Sequence, residues 1–484
     1  MLPLAVAAPL TALLCLPLAR TRWARPVSIA GSAAVLALAL ALAWRVTAGG
    51  PLVAARGWLQ ADALSALLAC IIGAVGLASA WYAHFYMARQ EEGHDAASWT
   101  GGRYDALFHG LVGSLIVAAL ANNLGLLWVA IEGSTLTSAL LVGYYRRPGA
   151  VEAAWKYLML CSVGIALGLL ATVLIYYSAV PLVGEGSVGL QWTVLAAAAP
   201  ALQPHFVKLA FVLALVGYGT KAGLAPMHTW LPDAHSQAPT PVSALLSAAL
   251  LATALTAVLR FHAIAARCLG PDFSGGLLVF FGLLSMAVAA PFMLIQGDYK
   301  RLLAYSSVEH TGLVALAVGL GHPLAILGGL FHLVSHALAK TLAFLVGGSL
   351  ASATGARRLD HWSGVVQAAP ALGALFVIAG VGLAGLPPGA LFLSEWLTLA
   401  GGLAAGRPGV VAAAIALLAI VFAGLAFHWT RVALGHPSKH FHDSLPAASR
   451  RPLWLLAAAL LLLGVYLPPP LRHLLEQAAR VIRP

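Results

Sequence analysis

Val216-Gly-Tyr-Gly-Thr-Lys-Ala-Gly-Leu-Ala-Pro-Met-His-Thr-Trp-Leu-Pro-Asp-Ala-His235 closes a long apolar run, and how it is read decides the fold. Lys221 stands here among Gly217, Gly219, Gly223 and Pro226. Glycine and proline loosen a helix, and the backbone groups they free are tolerated inside a bilayer only in protein or beside a polar cavity. The stretch therefore reads as a membrane helix interrupted part-way, with a basic group at the interruption. An ionisable side chain at the bilayer centre costs at least ~2.5–3.5 kcal/mol, so Lys221 calls for a partner or a task. A nearby carboxylate would decide whether it keeps its proton, which is what a relay site needs.

The rest of the chain is of the same kind. Of its 484 residues, 61% are hydrophobic and 9% charged, where soluble domains have roughly 45–50% and about 25%. Mean hydropathy is +0.90. These figures exclude a soluble enzyme, a disordered tail protein and a nucleic-acid binder. Apolar stretches at 1–19, 27–47, 61–87, 106–121, 123–144, 154–180 and 204–225 are followed by others at 239–265, 273–297, 302–320, 323–351, 364–400, 408–433 and 452–468. They predict an all-α polytopic membrane protein of about 14 transmembrane helices. The net charge of +11 comes from Lys and Arg set mostly in the short loops between these runs, the distribution that the positive-inside rule produces. Arg20, Arg22, Arg25, Arg146, Arg147, Arg357 and Arg358 fall on one side if the N-terminus is non-cytoplasmic. That predicts both termini on the non-cytoplasmic side and cytoplasmic loops at 145–153 and 355–362.

Other signals are negative. No loop has room for a flavin, nucleotide or iron–sulfur domain, so redox chemistry would belong to another polypeptide. Gly184-Glu-Gly-Ser-Val-Gly189 and Gly380-Val-Gly-Leu-Ala-Gly385 match a dinucleotide fingerprint, but no strand precedes either, and both read as chance. Cys15, Cys70, Cys161 and Cys268 lack metal-ligand spacing and read as inert thiols. Met1-Leu-Pro-Leu has no basic segment before its apolar run, so the first helix reads as retained rather than cleaved.

Three further groups put charge into apolar runs. Glu132 lies midway along an otherwise uncharged span. His332, His336 and Lys340, at i, i+4 and i+8, line one helix face. Glu395 follows Pro387-Pro388, which break another helix. Structural ion pairs, a snorkelling lysine or a polar seam are the plain alternatives. No carboxylate or cysteine completes a metal site on the His332 helix. Together the groups form a line of acids and bases over several helices, suited to moving protons or small cations rather than a bulky solute.

Lys221 to Ser243, Asp298-Tyr-Lys-Arg-Leu-Leu-Ala-Tyr-Ser-Ser-Val-Glu-His310 and His332 to Phe344 closely resemble the antiporter-like subunits shared by respiratory complex I, Mrp-type antiporters and group 4 membrane-bound [NiFe] hydrogenases. Glu132-Gly-Ser-Thr, Glu152-Ala-Ala-Trp-Lys-Tyr157 and Tyr305 to His310 look most like the large antiporter-like subunit of hydrogenase-4-type formate hydrogenlyase. The resemblance implies two inverted repeats, helices 4–8 and 9–13, with helices 7 and 12 broken. The corresponding boundaries are 1–105, 106–265, 266–433 and 434–484, the last holding helix 14 and a tail. It also implies that Glu132 and Lys221 pair in the first half-channel, that Lys340 is the central relay and that Glu395 is the terminal group. His228, Asp233, His235, His310, His332 and His336 are further relay candidates.

No cofactor is expected in this chain. The resemblance places iron–sulfur clusters and a nickel–iron centre in partner subunits, alongside other membrane subunits and a peripheral redox arm, in the bacterial inner membrane. One departure stands out: where relatives often have a basic residue on helix 8, Ser243 to Val258 is uncharged, with Ser247 and Ala252 near the expected sites. A cation/proton antiporter, or an ion-coupled subunit for inorganic carbon uptake, is the alternative function.

Overall fold

The computed structural model describes residues 1–18, 21, 23–92, 101–436 and 445–483. Arg20 and Arg22, counted above among the loop charges, lie outside the described residues. The first half of the chain forms α1 (Leu2–Cys15), α2 (Ala24–Gly49), α3 (Ala63–Glu92), α4 (Gly101–Leu120), α5 (Leu124–Val142) and α6 (Pro148–Val183). After them come α7a (Pro204–Ala222), α7b (Trp230–Gln237) and α8 (Thr240–Leu269). The second half has α9 (Pro271–Ile295), α10 (Tyr299–Gly319), α11 (Pro323–Thr354), α12a (Pro370–Leu383), α12b (Ala390–Ala404), α13 (Pro408–Leu434) and α14 (Arg451–Val465). Among the described residues, 11 helices are long and apolar enough to cross a membrane. The shorter α1 and the two broken pairs supply the remaining crossings. An all-α polytopic membrane fold is borne out.

The expected repeat is visible in how the helices pack. In the first block α4 lies on α5, α5 on α6, α6 on α7a and α7a on α8. In the second, α9 lies on α10, α10 on α11, α11 on both pieces of α12, and α12a on α13. The two breaks share a local sequence, Gly223-Leu-Ala-Pro226 and Gly385-Leu-Pro-Pro388. Each glycine has a positive φ (+78° and +62°), and each proline follows a cis peptide bond. Leu224 N–H donates to Gly219 O at 2.9 Å and Leu386 N–H to Val381 O at 3.1 Å. Both are the six-to-one bond that closes a helix around a left-handed glycine. The run 364–400, read above as one stretch, is thus two helices either side of a glycine stop.

Burial separates the helices by role. α8 is enclosed along its whole membrane window, and α10 and α11 nearly so, whereas α2 and α13 are largely open. Large apolar side chains such as Trp44, Trp155, Val163 and Phe427 are exposed, as a lipid-facing surface requires. Glycines let neighbours approach closely: a Cβ on Gly217 would lie 2.6 Å from Gly164 O, and one on Gly312 would lie 2.7 Å from Gly282 O.

Two faces cap the bundle. Tyr86, Arg147, Gln237, Lys300 and Arg357 line one polar cavity of about 330 Å³, so the loops after α5 and α11 share a face. On the other face, the hairpin of β1 (Leu52–Ala54) and β2 (Leu59–Ala61) meets the 184–203 connection, where Gln191 Nε2 donates to Arg56 O at 3.3 Å. By sequence, 469–484 reads as a tail after helix 14. Instead Pro469–Ile482 forms a helix, α15, whose Leu474, Leu475, Ala478 and Ile482 are buried against α2, α3, α8 and α11. Those residues recur at helical spacing, a periodicity hidden behind the surrounding arginines. Gln477 Nε2 donates to Thr47 O at 3.3 Å, which puts the C-terminal helix on the hairpin face.

Near the hairpin face, Arg260 on α8 donates from Nη1 to Asp62 Oδ2 at 2.7 Å and from Nη2 to Ser65 Oγ at 3.0 Å. Its guanidinium lies 4.3 Å from the Trp192 ring centroid. Asp62 Oδ1 also accepts from Ser65 N–H at 2.8 Å at the start of α3. The pair is buried, so Asp62→Ala strands a cation and should cost ~3–5 kcal/mol. Thermal unfolding in detergent should show that loss, and the double change Asp62→Leu with Arg260→Met should recover most of it. Equal midpoints for wild type and Asp62→Ala would refute the clamp.

Candidate functional site

The first cluster joins α5, α6 and α7a. Lys221, in the last turn of α7a, is fully buried. Its ammonium donates to Thr135 Oγ1 at 2.9 Å and to the hydroxyl of Tyr157. Tyr157 OH in turn lies 2.6 Å from Ser138 Oγ. Glu132, half-buried on α5, accepts from Ser162 Oγ at 2.8 Å and from Thr135 Oγ1 at 3.2 Å. The direct Glu132–Lys221 pair expected from sequence is therefore replaced by a hydroxyl bridge. The physical reason is reach: with Thr135 one helical turn beyond Glu132 on the same face, the ammonium meets the hydroxyl first. Thr135 accepts a hydrogen bond from the lysine and can donate its own to the carboxylate or to Ile131 O, so its hydroxyl stands between the two charges.

The second cluster sits on the enclosed helices α10 and α11. Lys340 has no exposed surface, and its ammonium donates to Leu303 O at 2.7 Å. Ser307 Oγ donates to the same carbonyl at 2.9 Å and lies 2.8 Å from Ser247 Oγ on α8. Ser247 falls in a π turn, Leu246–Leu250, of an otherwise α-helical segment, a distortion frequent at functional sites. The uncharged 243–258 stretch of α8 thus reaches Lys340's carbonyl through two hydroxyls.

His332 bridges α10 and α12b. Its Nε2 lies 3.1 Å from His310 Nδ1 and its Nδ1 lies 2.9 Å from Ser394 Oγ. The His310 and His336 ring centroids are 5.1 Å apart. Beside them is Glu309, which the sequence reading quoted but did not single out. Glu309 Oε2 lies 3.0 Å from His310 Nδ1, the carboxyl is fully buried, and neither oxygen has a well-oriented hydrogen-bond donor. Its place on α10, the counterpart of α5, was the available signal. Glu395, half-buried on α12b, folds back on the break; a Cβ on Gly385 would lie 2.3 Å from its Oε2.

The remaining candidates stand apart from this line to different degrees. His235 is fully buried, stacks on Phe344 at 5.4 Å and has no hydrogen-bond partner on either ring nitrogen. It lies close enough to Lys340 and Lys300 for their charges to act on it. His228 packs edge-on against Tyr305 at 6.2 Å. Asp233 is in register with Glu395 across the two breaks, yet it is partly exposed and tied to Arg301 and, at 3.7 Å, to Lys156. It belongs to an ion-pair network at the membrane face rather than to the buried line.

Residues 121–422 match the profile of a family described as NADH:quinone oxidoreductase/Mrp antiporter, transmembrane. The hydrogenase-4 component F homolog of Methylacidiphilum infernorum (isolate V4) is 37% identical over 410 residues, covering 84% of this chain and 85% of that protein. NADH-quinone oxidoreductase subunit N of Desulforudis audaxviator (strain MP104C) is 30% identical over 471 residues, covering 92% and 91%. Among solved structures, a chain of the membrane-bound sulfane sulfur reductase, an archaeal respiratory membrane complex, superposes with a TM-score of 0.87 at 24% identity. That match covers 99% of this chain and 97% of the other.

Thr135→Val removes the bridge while keeping both charges. Hydrogen bonds to charged groups contribute about 1.5–3 kcal/mol, so ion movement in reconstituted vesicles should fall about tenfold or more, with Thr135→Ser close to wild type. Unchanged transport in the valine variant would show that Lys221 and Glu132 act separately.

Proposed function

The chain belongs to the NADH:quinone oxidoreductase/Mrp antiporter transmembrane family, and from that premise we propose that it is the proton-translocating membrane subunit of an energy-converting redox complex of the hydrogenase-4 type. The observation that carries this reading is a set of buried or half-buried acids and bases on facing helices: Glu132 and Lys221 joined through Thr135, His310 next to His332 and His332 next to Ser394, Lys340 held by Leu303 O, and Glu395 at the α12 break. Buried groups of this cost are retained where they move charge.

In this reading Glu132 and Lys221 form the first half-channel through Thr135, Lys340 is the central station and Glu395 is the terminal one. The repeats 106–265 and 266–433 are the two transport halves. Protons bind and leave; no bond to carbon is made or broken here. Electron transfer belongs to partner subunits holding iron–sulfur clusters and a nickel–iron centre. The assembly sits in a bacterial inner membrane with both termini non-cytoplasmic, so cysteines at positions 147 and 358 should label from the cytoplasmic side only.

Lys340→Ala should abolish proton movement in reconstituted vesicles while leaving insertion and co-purification of partners intact. Lys340→Arg should stay inactive where proton release is required, because arginine keeps its proton. Full pumping by the alanine variant would make Lys340 structural. Co-purification of the wild-type chain without any metal-containing partner would instead favour cation/proton exchange or ion-coupled uptake.

A further inference from the structure

Glu309, His310 and Glu395 line one cavity of about 350 Å³, which also borders Gly385 and Leu386 of the α12 break. Its outer wall is made by Phe392, Trp396, Ile415 and Phe422, each exposed on the apolar surface of the bundle. Two buried polar groups reach it without a well-oriented hydrogen bond. Glu309 is fully buried and neither carboxyl oxygen has a well-aligned donor, and His310, 1% exposed, has an unpartnered Nε2. His310 Nδ1 faces two neighbours, His332 Nε2 at 3.1 Å and Glu309 Oε2 at 3.0 Å. A neutral imidazole has one donor and one acceptor nitrogen, so that single position serves one neighbour at a time.

We propose that Glu309 and Glu395 form one two-carboxylate proton-exchange site, fed by His310 and filled by water, that ends the second half-channel at the α12 break. Two carboxylates facing one poorly solvated cavity cannot both stay ionised cheaply, so the pair keeps a proton between them. When Glu309 passes its proton through cavity water to the Glu395 carboxylate, Glu309 becomes the carboxylate and Glu395 the acid. His332, arriving as imidazolium, first protonates His310 at Nδ1; the His310 imidazolium then gives that Nδ1 proton to Glu309 and returns to its neutral Nε2–H form. Each hop moves one proton, and no other reactant is needed. Glu309 is to α10 what Glu132 is to α5, so each half of the repeat has an acid on its second helix.

The direction of transport rests on the function proposed above; the shared site does not, and the test separates them. Dicyclohexylcarbodiimide is apolar, approaches through lipid and reacts with protonated carboxyls. In native membranes containing the full-length chain, mass spectrometry should find one adduct per chain across the 299–319 and 390–404 segments, on Glu309 or on Glu395. Glu309→Gln should leave the adduct on Glu395, and Glu395→Gln should leave it on Glu309. Two adducts on one chain, or an inert Glu309 in the Glu395→Gln variant, would overturn the shared site. In transport, each single glutamine variant should lose about tenfold and the double variant no more than the worse single, since residues of one site are not additive. Multiplying losses would overturn the proposal as well. A wild-type chain that moves no protons yet gives the single shared adduct would support the site and refute the transport function.

Discussion

An ammonium cannot rest in hydrocarbon without oxygen around it, and that constraint organises the centre of this protein. Lys340 meets it with the carbonyl of Leu303, and two serines from α10 and α8 converge on the same region. The solution works only because α8, α10 and α11 are shielded from lipid by the helices outside them. The broken helices meet the same demand locally, since at Gly223 and Gly385 the freed helix ends are closed by hydrogen bonds of their own, Gly223 N–H to Thr220 O and Gly385 N–H to Gly382 O.

Much of this was legible in the sequence because its physics is local. Membrane spans follow from apolar runs, and the breaks follow from glycine and proline beside Lys221 and before Glu395. What eluded the sequence depends on which neighbour arrives first. Nothing in the spacing of Glu132 and Lys221 reveals that Thr135 intervenes, because the interhelical distance is set by the small residues between α6 and α7a. Glu309 carries no signal of its own beside His310, because its burial is a property of α10's enclosure. Asp233 looked like a relay acid, and only packing places it among Arg301 and Lys156 at the face.

The two halves are alike in framework and different in chemistry. The Gly-Leu-x-Pro breaks are built by the same hydrogen bond, yet the in-register acids diverge, Asp233 fixed by cations and Glu395 beside a cavity. The basic group also moves: Lys221 ends α7a, whereas the second half keeps its lysine on α11. A duplicated scaffold has here been given two different sets of titrating groups.

Glu132 and Glu395 are each half-buried, and each has exposed apolar neighbours, Val129 and Leu136 for one and Phe392 and Trp396 for the other. The polar groups therefore begin and end at half-buried carboxylates on apolar flanks of the bundle, with the fully buried Lys221, His332 and Lys340 between them. A conductor with both ends at the flanks is open to continuation: a neighbour of similar build, set edge to edge, would meet a carboxylate rather than a wall of leucine.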